Sequence, residues 1–343
     1  MNILVTGGCG FIGSNFIRYV LKRHVQCRIV NLDKLTYAGN PDNLRDLTGK
    51  RRYRFVKGDI CDKKIVDKLM AGMDWVVNFA AETHVDRSIL HPDSFIQTDV
   101  YGTYVLLEAA KKYQVKKFCQ ISTDEIYGST MDGKFDEESQ IAPNSPYSAS
   151  KAGGELLVRA YFVTYQLPVV IVRASNNFGP YQYPEKLMPL FITNALENKP
   201  LPLYGDGKNV RDWLYVEDHC RAIELVLRRG QVGSVYNVGG GNEVSNWEIT
   251  KKILAILGKP ASLIRYMTDR PGHDRRYALN WQKISRELGW KPEYSLPGKK
   301  FDLALKKTVD WYVQNKSWWL KIKKTAYYRK FYSQQYTPAN KLK

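Results

Sequence analysis

The chain has 343 residues, 44% of them hydrophobic and 25% charged, enough to bury one large core or two joined ones and too ordinary in composition for a disordered chain. No apolar run approaches the roughly 18 residues of a membrane span, and residues 1–8 read as a strand entering a turn, not as a signal peptide, so a cytoplasmic protein is expected. The formal net charge of +18 raises a nucleic-acid partner as a question, which the distribution of that charge decides better than its size.

Strands are predicted over 3–5, 28–32, 54–56, 75–78, 118–122 and 169–173. They alternate with helical stretches at a pitch that argues for right-handed crossovers and a parallel sheet. Gly7, Gly10 and Gly13 follow the first strand and open a helix. Glycines in that context allow a tight turn, admit backbone amides to a pyrophosphate, and let helix and strand pack closely. Asp33 lies twenty residues beyond Gly13, at the end of the second predicted strand. A carboxylate there accepts from an adenosine ribose diol and repels a 2′-phosphate, which favours NAD over NADP. After the third strand, Asp59 and Ile60 are placed to meet adenine, or Asp59 to cap the following helix. Phe11 and Ile12 in the glycine turn, Lys34 and Thr36 beyond Asp33, and Ala80 and Ala81 after the fourth strand complete the candidate cofactor set.

Pro92 opens a long helical stretch over 92–113, and a second helix is predicted over 147–165. Both are apolar on more than one face, as in a homodimer interface or under a thick core; a homodimer built on these two helices is the favoured expectation. Just after the fifth strand, Thr123 is followed by two adjacent carboxylates, Asp124 and Glu125. Tyr147 and Lys151 stand at i and i+4 of the second helix, on one face. An ammonium beside a phenol favours the phenolate, so the pair can take a proton from a sugar or alcohol hydroxyl while NAD takes the hydride. Two further carboxylates are more acid–base chemistry than a simple dehydrogenase needs.

After residue 174, Gly- and Pro-punctuated segments such as 178–184 and 203–207 suggest a smaller, loop-rich portion that supplies substrate contacts. The stretch 212–229 and the apolar run 234–238 are expected to return to the first sheet. The expected fold class is therefore α/β: a Rossmann-type doubly wound parallel sheet over 1–175 that binds NAD, with a return near 210–240. A smaller α/β substrate-binding domain over 176–315 and a tail over 316–343 follow it. The tail carries eight Lys and Arg and no acid, interleaved with Trp318, Trp319, Tyr327, Tyr328, Phe331, Tyr332 and Tyr336. Such a tail could stack on RNA or lie on an anionic membrane. The expected arrangement is instead aromatics docked on the body with solvated lysines, so neither nucleic acid nor membrane is expected as a partner. The five cysteines and five histidines show no zinc or redox spacing, so reduced thiols and no metal are expected.

The glycine pattern and Tyr147-x-x-x-Lys151 resemble the extended short-chain dehydrogenase/reductase family. Within it, segments 80–88, 122–125, 176–182 and 210–219 are similar to the dTDP-glucose 4,6-dehydratases, a likeness that runs from residue 1 to about 277 and on through 288–292. The resemblance implies a hydro-lyase that consumes no NAD overall. NAD oxidises carbon 4 of the hexose, and the ketone acidifies the hydrogen on carbon 5. Water then leaves across carbons 5 and 6, and hydride returns to carbon 6, giving dTDP-4-keto-6-deoxy-glucose for deoxysugar synthesis.

The resemblance assigns Glu125 as the base, Asp124 as the acid, and Thr123 as a hydrogen-bond partner of the carbon 4 hydroxyl beside Tyr147. Asp124 must be protonated to act so, which calls for burial or a like-charged neighbour. For the dTDP-glucose substrate it points to Asn176 and Arg211 near the diphosphate, with Asn246, Arg270 and His273 farther along the nucleotide. An arginine fork matches phosphate oxygens, and Lys186 is a second candidate for that anion. Thr83 and His84 are placed at the sugar. The alternative is a related epimerase or decarboxylase, or a dehydratase of another nucleotide sugar, since neither spacing nor charge separates thymine from uracil. Asp99 stands where relatives usually carry Asn, and Phe178 where they carry Tyr; neither departure removes a proton-transfer group.

Overall fold

The computed structural model describes residues 1–269, 272–295 and 300–336. Twelve strands occur among them: β1 (Asn2–Thr6), β2 (Arg28–Asp33), β3 (Tyr53–Lys57), β4 (Trp75–Asn78), β5 (Lys117–Thr123), β6 (Val169–Ala174), β7 (Asn176–Phe178), β8 (Leu201–Tyr204), β9 (Val210–Tyr215), β10 (Val235–Val238), β11 (Glu243–Ser245) and β12 (Ile264–Met267). Seven of them form one sheet in the order β10-β6-β5-β4-β1-β2-β3, and every neighbouring pair is parallel.

Strand residues alternate between two cores, which is the signature of a sheet covered on both faces. Ile3 and Val5 enter a cluster with Phe16, Ile17 and Val20 of the helix Phe11–Arg23 and Ile223 and Val226 of the helix Val216–Arg229. Leu4 points the other way, into a cluster with Val76, Phe118, Leu106 and Val158. Each such side chain stabilises the fold by about 1.5–3 kcal/mol of transfer free energy.

The stretch predicted as one helix over 92–113 is helical through Lys112, with a π-helical segment over Ile96–Gly102 between α-helical pieces. The partner helix runs over Pro146–Tyr165. Ser145 and Ser148 cap it reciprocally, Pro146 fills the first turn, and Gln166 ends it with φ of 55°. These two helices cross closely because position 154 is glycine. A Cβ there would sit 2.4 Å from the Asp99 carbonyl oxygen.

Sheets β11-β9-β7 and β12-β8 lie over a separate core that includes Phe178, Phe191, Trp213, Ile253, Phe301 and Tyr312. The chain crosses between the two cores more than once, since β9 lies in the small sheet while the helix after it packs under the large one, where β10 pairs with β6. The C-terminal helices Lys316–Lys323 and Ala326–Tyr336 bury Trp319, Ile322, Tyr328 and Phe331 against the body. Trp318 Nε1 donates to Asn43 Oδ1 at 2.9 Å, and the Tyr328 hydroxyl donates to the Pro184 carbonyl at 3.0 Å. Lys321 pairs with Asp42 at 2.5 Å, whereas Lys323 is buried against Glu197. No described helix is long and apolar enough to cross a membrane. Among the described residues no cluster of three or more His, Cys, Asp or Glu could hold a metal ion.

Candidate active site

Strand order reverses where β1 lies between β2 and β4, and a crevice opens there beyond the carboxyl ends of the strands. β1 runs into the glycine turn. Gly7 has φ of +66°, and a Cβ on it would meet the Ala80 amide nitrogen at 2.6 Å; one on Gly13 would meet the Gly7 carbonyl oxygen at the same distance. These glycines make a cradle that any side chain would fill, which fits a dinucleotide pyrophosphate. Asp33, at the end of β2, accepts the Cys9 and Leu35 amides at 2.8 Å each, and burial raises its pKa. Lys34 and Asp59 form an ion pair at 2.7 Å across one end of the cleft. The helix after β3 is capped by Asp62, not Asp59. Every candidate cofactor residue, from Gly7, Gly10, Phe11, Ile12 and Gly13 through Asp33, Lys34, Thr36, Asp59, Ile60, Ala80 and Ala81 to Tyr147 and Lys151, lines this one cleft. Sequence reasoning missed Gly39, Glu82, Thr98 and Ser122 there; Gly39, Glu82 and Ser122 lie at or shortly beyond a strand's carboxyl end, whereas Thr98 comes from the π-helical segment Ile96–Gly102.

β5 delivers the reacting groups. Thr123 caps a short turn over Asp124–Tyr127, accepting the Glu125 amide at 3.2 Å and donating to Asp124 Oδ1 at 3.3 Å. Asp124 is 1% exposed, and its Oδ2 has no partner among the described residues. Burial, then the neighbouring Glu125 and Asp212, push its pKa well above the ordinary carboxylate range. A carboxyl so placed favours its protonated form, the form with a proton to give.

Tyr147 differs from the expectation. Burial and the carboxylates of Glu125, Asp99 and Asp124 raise its pKa well above 10, with the Thr123 hydroxyl beside it acting in the opposite direction. Lys151 is itself buried, which lowers its pKa, and its Nζ donates to the Ile121 carbonyl at 2.7 Å. The local i, i+4 geometry is as expected, but desolvation and three nearby acids outweigh one ammonium.

Asp99 is buried at the crossing of the two helices. It accepts the Ser150 hydroxyl at 2.7 Å and the Glu82 amide at 3.0 Å. Burial raises its pKa to about 7 against the opposing pull of Lys151. The residue is carried on the π-helical segment Ile96–Gly102, a kind of segment frequent at functional sites.

A second cavity adjoins the cleft through Gln182, Glu185 and Lys186, which line both. His84, Glu125, Asn176, Arg211, Asn246 and His273 line it, whereas Thr83 faces the cofactor cleft. Lys186 Nζ donates to the Thr83 hydroxyl at 3.2 Å, spanning the two. The Arg211 guanidinium lies 4.4 Å over the Tyr277 ring and donates to the Asp274 carbonyl at 3.0 Å. His273 Nδ1 pairs with Asp269 at 2.5 Å. The side-chain oxygens of Asn176 and Asn246 are buried without a partner among the described residues, as acceptors kept for a ligand would be. Arg270 lies outside the described residues. Tyr204, Tyr277, Glu185 and Tyr336 also line the cavity, and nothing in their local sequence marks them for it.

Residues 4–298 match the GDP-mannose 4,6 dehydratase family. The chain belongs to that family. It is 51% identical over 327 residues to a dTDP-glucose 4,6-dehydratase of Streptomyces niveus, covering 94% of this chain and 96% of that one. Among solved structures, DesIV, a dTDP-glucose 4,6-dehydratase from Streptomyces venezuelae with NAD and TYD bound, is 49% identical. It superposes with a TM-score of 0.91 over 94% of this chain and all of its own. A UDP-glucuronic acid 4-epimerase from Bacillus cereus, in complex with UDP-glucuronic acid and NAD, is 30% identical with a TM-score of 0.85, over 92% of this chain and 99% of its own. The dehydratase and the epimerase thus share this chain's scaffold, and the fold alone does not separate the two activities.

Proposed function

We propose that this chain is an NAD-dependent dTDP-glucose 4,6-dehydratase. The observation that carries the reading is the buried, proton-holding Asp124 beside Glu125, both adjoining Tyr147. An epimerase needs the Tyr/Lys pair and the cofactor but no acid–base pair for loss of water.

The cofactor is held in the cleft by the glycine turn, with Asp33 at the adenosine ribose and Tyr147 and Lys151 at the reacting end. When bound there, NAD supplies a hydride acceptor for carbon 4 and, once reduced, a hydride donor for carbon 6. Tyr147 receives the carbon 4 hydroxyl proton, with Thr123 fixing that hydroxyl. Its raised resting pKa makes the phenolate a strong base, and the positive charge of the oxidised cofactor would lower the cost of forming it. Glu125 then takes the carbon 5 proton, which the new ketone has acidified. Asp124 donates its proton to the carbon 6 hydroxyl, so the leaving group departs as water; when hydride reaches carbon 6, Glu125 gives its proton back to carbon 5, and the proton left on Tyr147 restores Asp124 by exchange with solvent. Arg211, Lys186 and Asn176 hold the diphosphate, and Asn246, Arg270 and His273 the remainder of the nucleotide; Thr83 and His84 flank the sugar.

The same reading assigns cofactor to the portion built on the large sheet and substrate to the portion built on the small ones. It makes the enzyme a cytoplasmic homodimer. Ile96 and Tyr101 on one long helix and Leu156, Val163 and Tyr165 on the other are large apolar side chains left exposed, which is the pattern of a helix-pair interface.

Incubation with dTDP-glucose, UDP-glucose and GDP-mannose separately tests the reading, following product mass and the alkali-induced absorbance of a 4-keto sugar. Loss of one water from dTDP-glucose is expected. A product of unchanged mass would replace the dehydratase with an epimerase, and turnover of another sugar nucleotide alone would replace the base.

A further inference from the structure

The C-terminal helix Ala326–Tyr336 does more than cover the small core, for it reaches the substrate cavity. Tyr336 lines that cavity, its ring 6.3 Å from Tyr204. Gln335 Nε2 donates to the Tyr204 hydroxyl at 2.5 Å. Tyr204 in turn meets His273 edge-on at 6.2 Å. The cavity is therefore chemically divided. Glu125, Arg211 and Tyr277 line one part of it; Tyr204, His273 and Tyr336 make another part aromatic, and Tyr336 comes from the helix Ala326–Tyr336.

A latch fixes this helix to the site. Arg87 is stacked among Tyr37, Phe331 and Tyr327 at 3.8, 4.1 and 4.8 Å. It pairs with the buried Glu185 at 2.7 Å and donates to the Tyr327 hydroxyl at 2.7 Å. Glu185 lines both cavities, so the helix is tied to the wall between cofactor and substrate. A planar guanidinium held between rings and bonded to a carboxylate permits little sliding.

Resting on the dehydratase reading, we propose that Ala326–Tyr336 is a wall of the substrate site and that Tyr336 is a positioning residue for the nucleotide base, acting by bracing Tyr204. A flat aromatic face is suited to a base, which presents a π-surface whatever its edge pattern. Bracing keeps the Tyr204 ring in one orientation before the ligand arrives, which reduces the ordering cost of binding.

Calorimetric titration of the full-length protein with dTDP, alongside steady-state kinetics with dTDP-glucose, tests this with Tyr336→Ala, Tyr336→Phe and Lys330→Ala. Lys330 is exposed on the same helix and serves as the control. Tyr336→Ala is expected to weaken dTDP about tenfold and to raise KM in step, with kcat within about twofold, because ground-state and transition-state binding fall together. Tyr336→Phe keeps the ring and restores affinity; NAD affinity is the same in all variants. Unchanged dTDP affinity in Tyr336→Ala, or a fall in kcat alone, overturns the inference and leaves the dehydratase reading standing. Failure of the unsubstituted protein to bind dTDP removes both. Should Tyr336→Ala not fold, Gln335→Ala decides: it deletes only the bond to Tyr204, and dTDP affinity about threefold weaker is expected, with an unchanged value against the inference.

Discussion

The Ser150 hydroxyl donates to Asp99 at 2.7 Å, and through that bond the helix carrying Tyr147 and Lys151 is fastened to the π-helical segment beside it. The same carboxyl accepts the Glu82 amide, so one buried acid ties together the reacting helix, its neighbour and a wall of the cofactor cleft.

Asp99 therefore links stability to pH. Its carboxyl is raised from 3.8 to about 7 in the folded chain, so the folded state keeps a proton that the unfolded state releases. The contribution is full below about pH 4 and is lost as pH rises through about 7. Asp99→Asn is expected to flatten this fall, on the order of 4 kcal/mol, visible as a smaller drop in Tm across that window. It also removes a charge that favours protonated Lys151, so the alkaline limb of kcat/KM moves to lower pH. Identical Tm profiles for the two proteins would count against this account.

Asp124→Asn with Glu125→Gln removes the acid and the base while leaving Tyr147 and Lys151 in place. Dehydration is expected to fall by about 10²-fold or more, with partial oxidation at carbon 4 retained. The readout is rapid-quench mass analysis together with NADH absorbance. Undiminished loss of water would show that other groups carry the elimination.

Asp33 lines the cofactor cleft, and the proposed reading places the adenosine ribose of NAD against its carboxylate. Asp33→Ala is expected to weaken NAD by about 10- to 100-fold, the scale of a lost hydrogen bond to a charged group. NADP, no longer repelled, should lose less. Titration with both dinucleotides measures the ratio, and an unaltered NAD preference would place the discrimination elsewhere.

Gly154→Ala adds a methyl 2.4 Å from the Asp99 carbonyl oxygen. The helices must part, at a cost of about 1–3 kcal/mol, which lowers Tm by several degrees. Displacing Asp99 should also lower kcat. Calorimetry and kinetics on the same preparation separate the two effects.

Leu156→Glu with Val163→Glu places charge on the exposed apolar face of the helix Pro146–Tyr165. Light scattering is expected to show a dimer for the unsubstituted protein and a monomer for the variant. A dimer that persists would locate the interface on another surface.

What the amino-acid sequence determined by itself was local. The alternation of short apolar strands with helices marks a parallel sheet, and the glycines after β1, Asp33 at the end of β2 and the carboxylates after β5 occupy strand ends, where such a sheet binds ligands. Spacing of four put Tyr147 and Lys151 on one helix face. All of these signals act over a turn or a strand, and so can be read without knowing what packs against them.

What only the tertiary structure decided depends on burial and on partners distant in the chain. Tyr147 was expected to be eased toward its phenolate by Lys151; desolvation and three acids from other segments push it the other way. Asp59 leaves the helix cap to Asp62, since the helix starts one residue after Asp62, and it pairs instead with Lys34. Asp99 reads in sequence as one polar residue in an apolar helix, and its role appears only where a second helix, admitted by Gly154, brings Ser150 to it. Gln335 and Tyr204 are 131 residues apart, and no periodicity connects them. A cavity is a property of surfaces that meet, and the free energy of charging a group depends on what excludes water around it; neither quantity is written in the order of residues along one segment.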